Sequence, residues 1–269
     1  MADVTAAAAG TITLGDLTVH RMGLGTNRLT DTYETRALLT RAVELGVNFI
    51  DTAYRYAGGE SEVTIGNTLA PYNGLVIATK GGWEDTPPTQ LRVELEESLR
   101  RLRTDHIDLY QLHRVNSNLS IEHSVSVLKQ FQDEGKIRHI GLSEVTIVQL
   151  KKAQEIAPIV SVQNQYNVMV RQYEDVVDYC TQQHVAFIPW FPLGGLSGDA
   201  AKAVTLLADM ALKYGVSAQQ IALAWLLRRS PMMLPIPGTL SAEHLEQNLA
   251  AAYLKLQDED YQRLTEFRG

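Results

Sequence analysis

Only one cysteine, Cys180, occurs in the 269 residues. An internal disulfide needs two, and a Cys-cluster metal site needs more, so both are excluded. A lone thiol fits a reducing compartment. Basic residues are also scarce: 24 Lys and Arg stand against 31 Asp and Glu, a formal net charge of −7. Chains that bind nucleic acid usually carry a basic stripe, so nucleic acid is not expected as a partner. No run reaches the about eighteen uncharged apolar residues needed to span a bilayer, so no membrane association is expected. Residues 1–10 lack a basic n-region and a strong apolar h-region. A signal peptide is therefore not expected, the alanine run reads as a frayed tail, and the expected location is cytoplasmic. No Pro-rich linker or block of like charge marks a boundary, so a single domain over residues 1–269 is expected. His-x-x-x-His spacing is absent, and no metal is expected.

The chain is 45% hydrophobic, ordinary for a globular protein. Its length permits two small domains or one large α/β barrel. The order of apolar runs decides between them. Residues 11–14 and 17–20 flank Gly15-Asp16 as a small hairpin. Strands are then expected at 22–26, 47–53, 75–80, 106–113, 137–143, 159–166, 185–189 and 232–236. Between them lie helical periods: Leu38, Ala42 and Leu45; Leu91, Leu95, Leu99 and Leu102; Ile121, Val125, Leu128 and Phe131. Ser217 with Gln220 forms a capping-box pattern before a late helix, and two further helices start at Ala242 and Asp258. Near-continuous apolar strands joined by helices imply a parallel sheet covered on its outer side. Eight such units in about 250 residues predict an α/β fold, a (β/α)8 TIM barrel with a short N-terminal β-hairpin and extra C-terminal helices. An open doubly wound sheet is the runner-up. Gly23-Leu24-Gly25-Thr26-Asn27-Arg28 looks like the start of a dinucleotide fingerprint, but Arg28 replaces the third glycine, and the unit count outweighs it.

In such barrels the chemistry belongs to the C-terminal ends of the strands. The second strand ends in Asp51-Thr52-Ala53-Tyr54-Arg55-Tyr56, the third in Thr79-Lys80-Gly81, the fourth in Gln111-Leu112-His113. A tyrosine is too weak an acid to work well at neutral pH, and a nearby ammonium stabilises its phenolate. Lys80 can supply that charge, Asp51 can hold Lys80 in place, and His113 can orient a substrate carbonyl. Such a site protonates an oxygen while something else adds to carbon. No side chain is an obvious nucleophile, which points to a hydride from a cofactor.

From about Leu14 to Leu256 the chain resembles the aldo-keto reductase superfamily, and most of all its bacterial branch of pyridoxal reductases. Asp51-Thr52-Ala53-x-x-Tyr56, Lys80 and His113 match the family's tetrad. The resemblance implies that Tyr56 is the proton donor, Lys80 its tuner, Asp51 the partner of Lys80 and His113 the orienting group. It implies that Ser143 and Gln165 meet the nicotinamide carboxamide and that Trp190 stacks on the ring. Glu144 stands where the family usually has Asn. Leu193 and Gly195 belong to the loop that closes over the pyrophosphate. Thr239 and His244 would meet the adenosine 2′-phosphate, and Gln247 with Asn248 the adenine. The usual lysine and arginine of that motif are replaced by Gly238 and His244. NADPH is the expected cofactor, with NADH as the alternative.

The implied activity is reduction of a small carbonyl compound to an alcohol by a monomer or weak homo-oligomer. A non-catalytic nicotinamide-binding redox sensor and a sugar-phosphate isomerase are the competing readings. Trp83, Arg55 and Arg114 are candidates for the substrate pocket, and an inward arginine would favour an anionic or polar substrate. Cys180 shares an apolar helix face with Val176 and Val177 and reads as an inert buried thiol.

Overall fold

The computed structural model describes residues 4–194 and 201–267. A hairpin of β1 (Thr11–Leu14) and β2 (Leu17–His20) precedes β3 (Leu24–Gly25) and α1 (Tyr33–Glu44). There follow β4 (Phe49–Asp51), α2 (Glu60–Leu69), β5 (Val76–Gly81), α3 (Pro88–Leu102), β6 (Ile107–Leu112), α4 (Ile121–Asp133) and β7 (Ile137–Ser143). Then come α5 (Ile147–Gln154), β8 (Ile159–Gln163), α6 (Glu174–Gln182), β9 (Ala186–Phe187), α7 (Ala201–Tyr214), α8 (Ala218–Arg229), α9 (Ala242–Ala250) and α10 (Asp258–Glu266).

Strands β3 to β9 form one parallel sheet in chain order, as a sequence of βα units requires. Every residue of β5 is buried, because the sheet has packed side chains on both faces. The helical stripes read from the sequence are the buried ones: Leu91, Leu95, Leu99 and Leu102 on α3, and Ile121, Val125, Leu128 and Phe131 on α4. Ser217 caps α8 and Gln220 returns the bond, so that capping box is formed.

The eighth segment, 232–236, departs from the expected regular strand. It still closes the barrel. Phe187 N–H donates to Met232 O, Leu234 N–H to Phe187 O, and Gly23 N–H to Pro235 O, all within 3.0 Å. Pro235 and Pro237 have no N–H to give, so the ladder is too sparse for a strand. The Gly-x-Gly pair has its explanation at this seam. A Cβ on Gly25 would lie 2.6 Å from Ile236 O, and one on Gly23 would lie 2.8 Å from the Phe49 ring. These glycines permit close packing where the barrel closes.

The core has two parts. The larger lies between the helices and the outer face of the sheet. The smaller fills the barrel, with Phe49, Ala78, Leu109 and Leu234 packed above Ile12, Leu14 and Val19 of the hairpin. Two residues further along the same strands, the period of two points Asp51, Lys80 and Gln111 in the same direction. The barrel interior thus turns from apolar to polar toward its C-terminal mouth. No described helix is long and apolar enough to cross a membrane.

Candidate functional site

Lys80 is completely buried, and its ammonium spends all three donors. Nζ lies 2.5 Å from Asp51 Oδ1, 2.7 Å from Thr52 O and 3.2 Å from Tyr56 Oη. Burial pushes the Lys80 pKa down, but the charges of Asp51 and Tyr56 and their hydrogen bonds outweigh it, and the pKa is raised. The other Asp51 oxygen accepts from Gln163 Nε2 at 2.8 Å and Gln111 Nε2 at 3.1 Å. A buried charge pair is tolerable only when its remaining valences are satisfied, and these two amides satisfy them. Neither glutamine was expected in this role. For Gln111 the available signal was an uncharged polar residue two positions after the inward apolar Leu109; Gln163 follows Ser161 and carries no such signal.

The two tyrosines of the second-strand motif separate cleanly. Residues Ala57, Gly58 and Gly59 all take positive φ, a tight turn directly after Tyr56. Tyr56 has its hydroxyl on Lys80. Tyr54 instead lies with its ring 4.6 Å from the Arg101 guanidinium, which also bonds buried Glu62. His113 packs edge-on against Tyr56, with ring centroids 5.7 Å apart, and against Trp83 at 4.9 Å. Burial, helped by the charges of Lys80, Arg114 and Arg55, lowers the His113 pKa to about 2. The imidazole is neutral at any ordinary pH and offers one N–H donor and one acceptor.

A cleft of about 680 Å³ opens over these groups. Asp51, Tyr56 and His113 line it, together with Trp83, Arg55, Arg114, Ser143, Trp190 and Leu193 of the expected residues. Arg28, Pro237 and Gly238 also line it. Arg28 Nη2 reaches Gly238 O at 3.4 Å, bringing a cation to the segment that lacks the usual lysine. Phe191 and Gln219 also line the cleft, and neither was expected.

Other expected cofactor residues lie outside the cleft wall. Gln165 gives its backbone N–H to Glu144 Oε1 at 2.7 Å. Thr239 accepts from Ser241 N–H at 3.0 Å in the turn before α9, and Ser241 caps that helix at His244 N–H. His244 is exposed, Gln247 bonds Glu243, and Asn248 is buried. Gly195 lies outside the described residues.

Glu144 is occupied. Its Oε1 also accepts from Trp190 Nε1 at 2.6 Å, and its Oε2 from Tyr173 Oη at 3.0 Å. The residue sits at φ 56°, a left-handed conformation that Asn adopts more readily than Glu. Its carboxylate holds the ends of β7 and β8 and the Trp190 indole together.

The donor set fits a nicotinamide dinucleotide. Ser143 offers a hydroxyl for an amide, and Trp190 an indole for a flat ring. Arg28 with the capped start of α9 offers positive charge for phosphate.

Comparison with known proteins identifies the family. The model of the Aldo/keto reductase family matches residues 21–268. An uncharacterized oxidoreductase of Schizosaccharomyces pombe is 44% identical, the match covering 98% of this chain and 91% of that protein. The pyridoxine 4-dehydrogenase of Escherichia coli K12 is 37% identical, over 93% of this chain and 96% of its own. A solved aldo-keto reductase from Klebsiella pneumoniae, in complex with NADPH, superposes with a TM-score of 0.84 at 28% identity. That superposition covers 94% of this chain and 93% of that one.

Proposed function

The chain belongs to the aldo/keto reductase family, and on that premise we propose that it is an NADPH-dependent reductase of aldehydes or ketones with Tyr56 as the general acid. One observation carries the reading: the buried Lys80 ammonium bonds Asp51 and Tyr56 at once, beside a neutral His113 at the mouth of the cleft.

Bound NADPH supplies a hydride for the carbonyl carbon. The remaining steps belong to the protein. Tyr56 Oη donates its proton to the carbonyl oxygen. The phenolate left behind faces the Lys80 ammonium at 3.2 Å, which stabilises it. Asp51 keeps Lys80 charged and fixed. Neutral His113 donates its ring N–H to the same carbonyl oxygen, orienting it and sharing the charge that develops there. Ser143, Gln165 and Trp190 hold the nicotinamide end. Leu193 would cover the pyrophosphate. Thr239, His244, Gln247 and Asn248 take the adenosine end, with Arg28 replacing the missing lysine.

The NADPH complex of the Klebsiella relative supports the cofactor, and the relative named pyridoxine 4-dehydrogenase supports an alcohol–aldehyde pair on a small ring. The test is a carbonyl panel, pyridoxal included, run in parallel with NADPH and NADH and followed by cofactor absorbance. Turnover with NADPH well above that with NADH is expected. Tight cofactor binding without turnover of any carbonyl would overturn the reading.

A further inference from the structure

We infer that Arg55 and Arg114 form an anion site beside the reacting carbonyl, so that the preferred substrates carry a carboxylate or phosphate. The inference rests on the reductase reading of the same cleft and names its substrate class.

The two guanidinium groups share one platform. Arg55 lies 5.3 Å from the centre of the Trp83 ring and Arg114 lies 5.1 Å from it, and the same ring packs on His113. Arg114 fixes its position through Nη1, which donates to His113 O at 2.7 Å and Ser143 Oγ at 3.2 Å. Its other donors remain for a ligand. Among the described residues neither arginine makes an ion pair, whereas Arg36, Arg92, Arg100 and Arg101 do. Glu94 feels the charge of Arg55 but makes no ion pair with it, and its Oε2 accepts from Gly82 N–H at 2.7 Å.

The local charge opposes that of the whole chain. The protein carries −7, yet among the described residues three arginines line this cleft and Asp51 is the one lining carboxylate, already neutralised by Lys80. Arg28 stands at the Gly238 end, beside the segment assigned to the cofactor's adenosine phosphate. Arg55 and Arg114 stand at the Tyr56–His113 end, where the substrate must lie. Both charges reach His113 strongly enough to help depress its pKa. Guanidinium groups on an aromatic face are weakly hydrated and match the planar fork of a carboxylate or the edge of a phosphate.

The experiment compares matched pairs: 4-carboxybenzaldehyde with methyl 4-formylbenzoate, and glyceraldehyde 3-phosphate with glyceraldehyde. The expected result is a kcat/KM at least tenfold higher for the anionic member of one pair or both. The pair that shows it separates carboxylate from phosphate. Arg55→Met and Arg114→Met keep the aliphatic stem over Trp83 and remove the charge. Each should lower the anion preference at least fivefold, mainly through KM, and Arg114→Lys should restore part of it. A preference near one in the wild-type enzyme, or one that both Met variants leave intact, overturns the inference while the reductase reading stands. If no aldehyde turns over, the reductase reading fails. The anion site is then decided by fluorescence titration with 4-(hydroxymethyl)benzoate and its methyl ester. Equal affinity sinks it, and tighter binding of the acid that Arg55→Met abolishes upholds it.

Discussion

Lys80 Nζ lies 2.5 Å from Asp51 Oδ1 and 3.2 Å from Tyr56 Oη, so one buried ammonium joins a structural charge to a surface-reaching hydroxyl. The two bonds do different work. The first makes the burial of Lys80 possible. The second lets the charge act on whatever Tyr56 touches. Removing the ammonium must therefore change stability and chemistry together, and variants can separate the two.

Lys80→Met leaves Asp51 as an uncompensated buried charge and should cost about 3–5 kcal/mol of stability. Adding Asp51→Asn should recover much of that loss, because an amide oxygen still accepts from Gln111 and Gln163. Turnover should stay at least a hundredfold down in both variants. Urea melts and carbonyl-reduction rates on the single and double variants check this. Recovery of activity along with stability would refute the proton-donor role of the Lys80–Tyr56 pair.

Tyr56→Phe should lower kcat by about two to four orders of magnitude, the usual range for loss of a general acid. Tyr54→Phe should change kcat less than about twofold, since its ring packs on Arg101 away from Lys80. Steady-state kinetics on the two variants tests the assignment. Similar losses in both would remove the distinction between the tyrosines.

His113 makes stability depend on pH. In the folded protein its pKa is lowered to about 2, whereas an unfolded histidine has a pKa of about 6.5. Above 6.5 both states are neutral and the group contributes no pH dependence. Below it the unfolded chain takes up a proton that the folded chain refuses, so stability falls as the pH drops. The slope is at most about 1.4 kcal/mol per pH unit. Denaturant unfolding between neutral and mildly acid pH, wild type against His113→Phe, measures it. The variant should lose less stability on acidification.

Glu144→Ala removes the acceptor shared by the Trp190 indole N–H, the Gln165 backbone N–H and the Tyr173 hydroxyl. The loss should be about 1–3 kcal/mol. Trp190 loses its fixed orientation, and the Kd for NADPH should rise severalfold. Fluorescence titration with NADPH reads this directly. An unchanged Kd would mean that Trp190 keeps its place without Glu144.

The sequence by itself determined the barrel and the cast of its mouth. Apolar runs of strand length alternate with helical periods because each strand is covered on both faces and each helix on one, and burial leaves its period in the local order of residues. Asp51, Lys80 and His113 were legible because each ends such a run, and Tyr56 because it completes the second-strand motif. Tertiary structure decided what local order does not encode. The proline-interrupted segment 232–236 closes the barrel with three hydrogen bonds because its neighbours on either side present the groups that its own prolines lack. Gln111 and Gln163 meet on Asp51, and Arg55 and Arg114 on Trp83, only because ring closure brings together residues far apart in the chain. Glu144 sits where the family keeps an asparagine for the cofactor, yet its three partners come from the two following strand ends and the turn before α6. Side-chain direction at a rim is set by the neighbours that close it, and those neighbours are fixed by the fold.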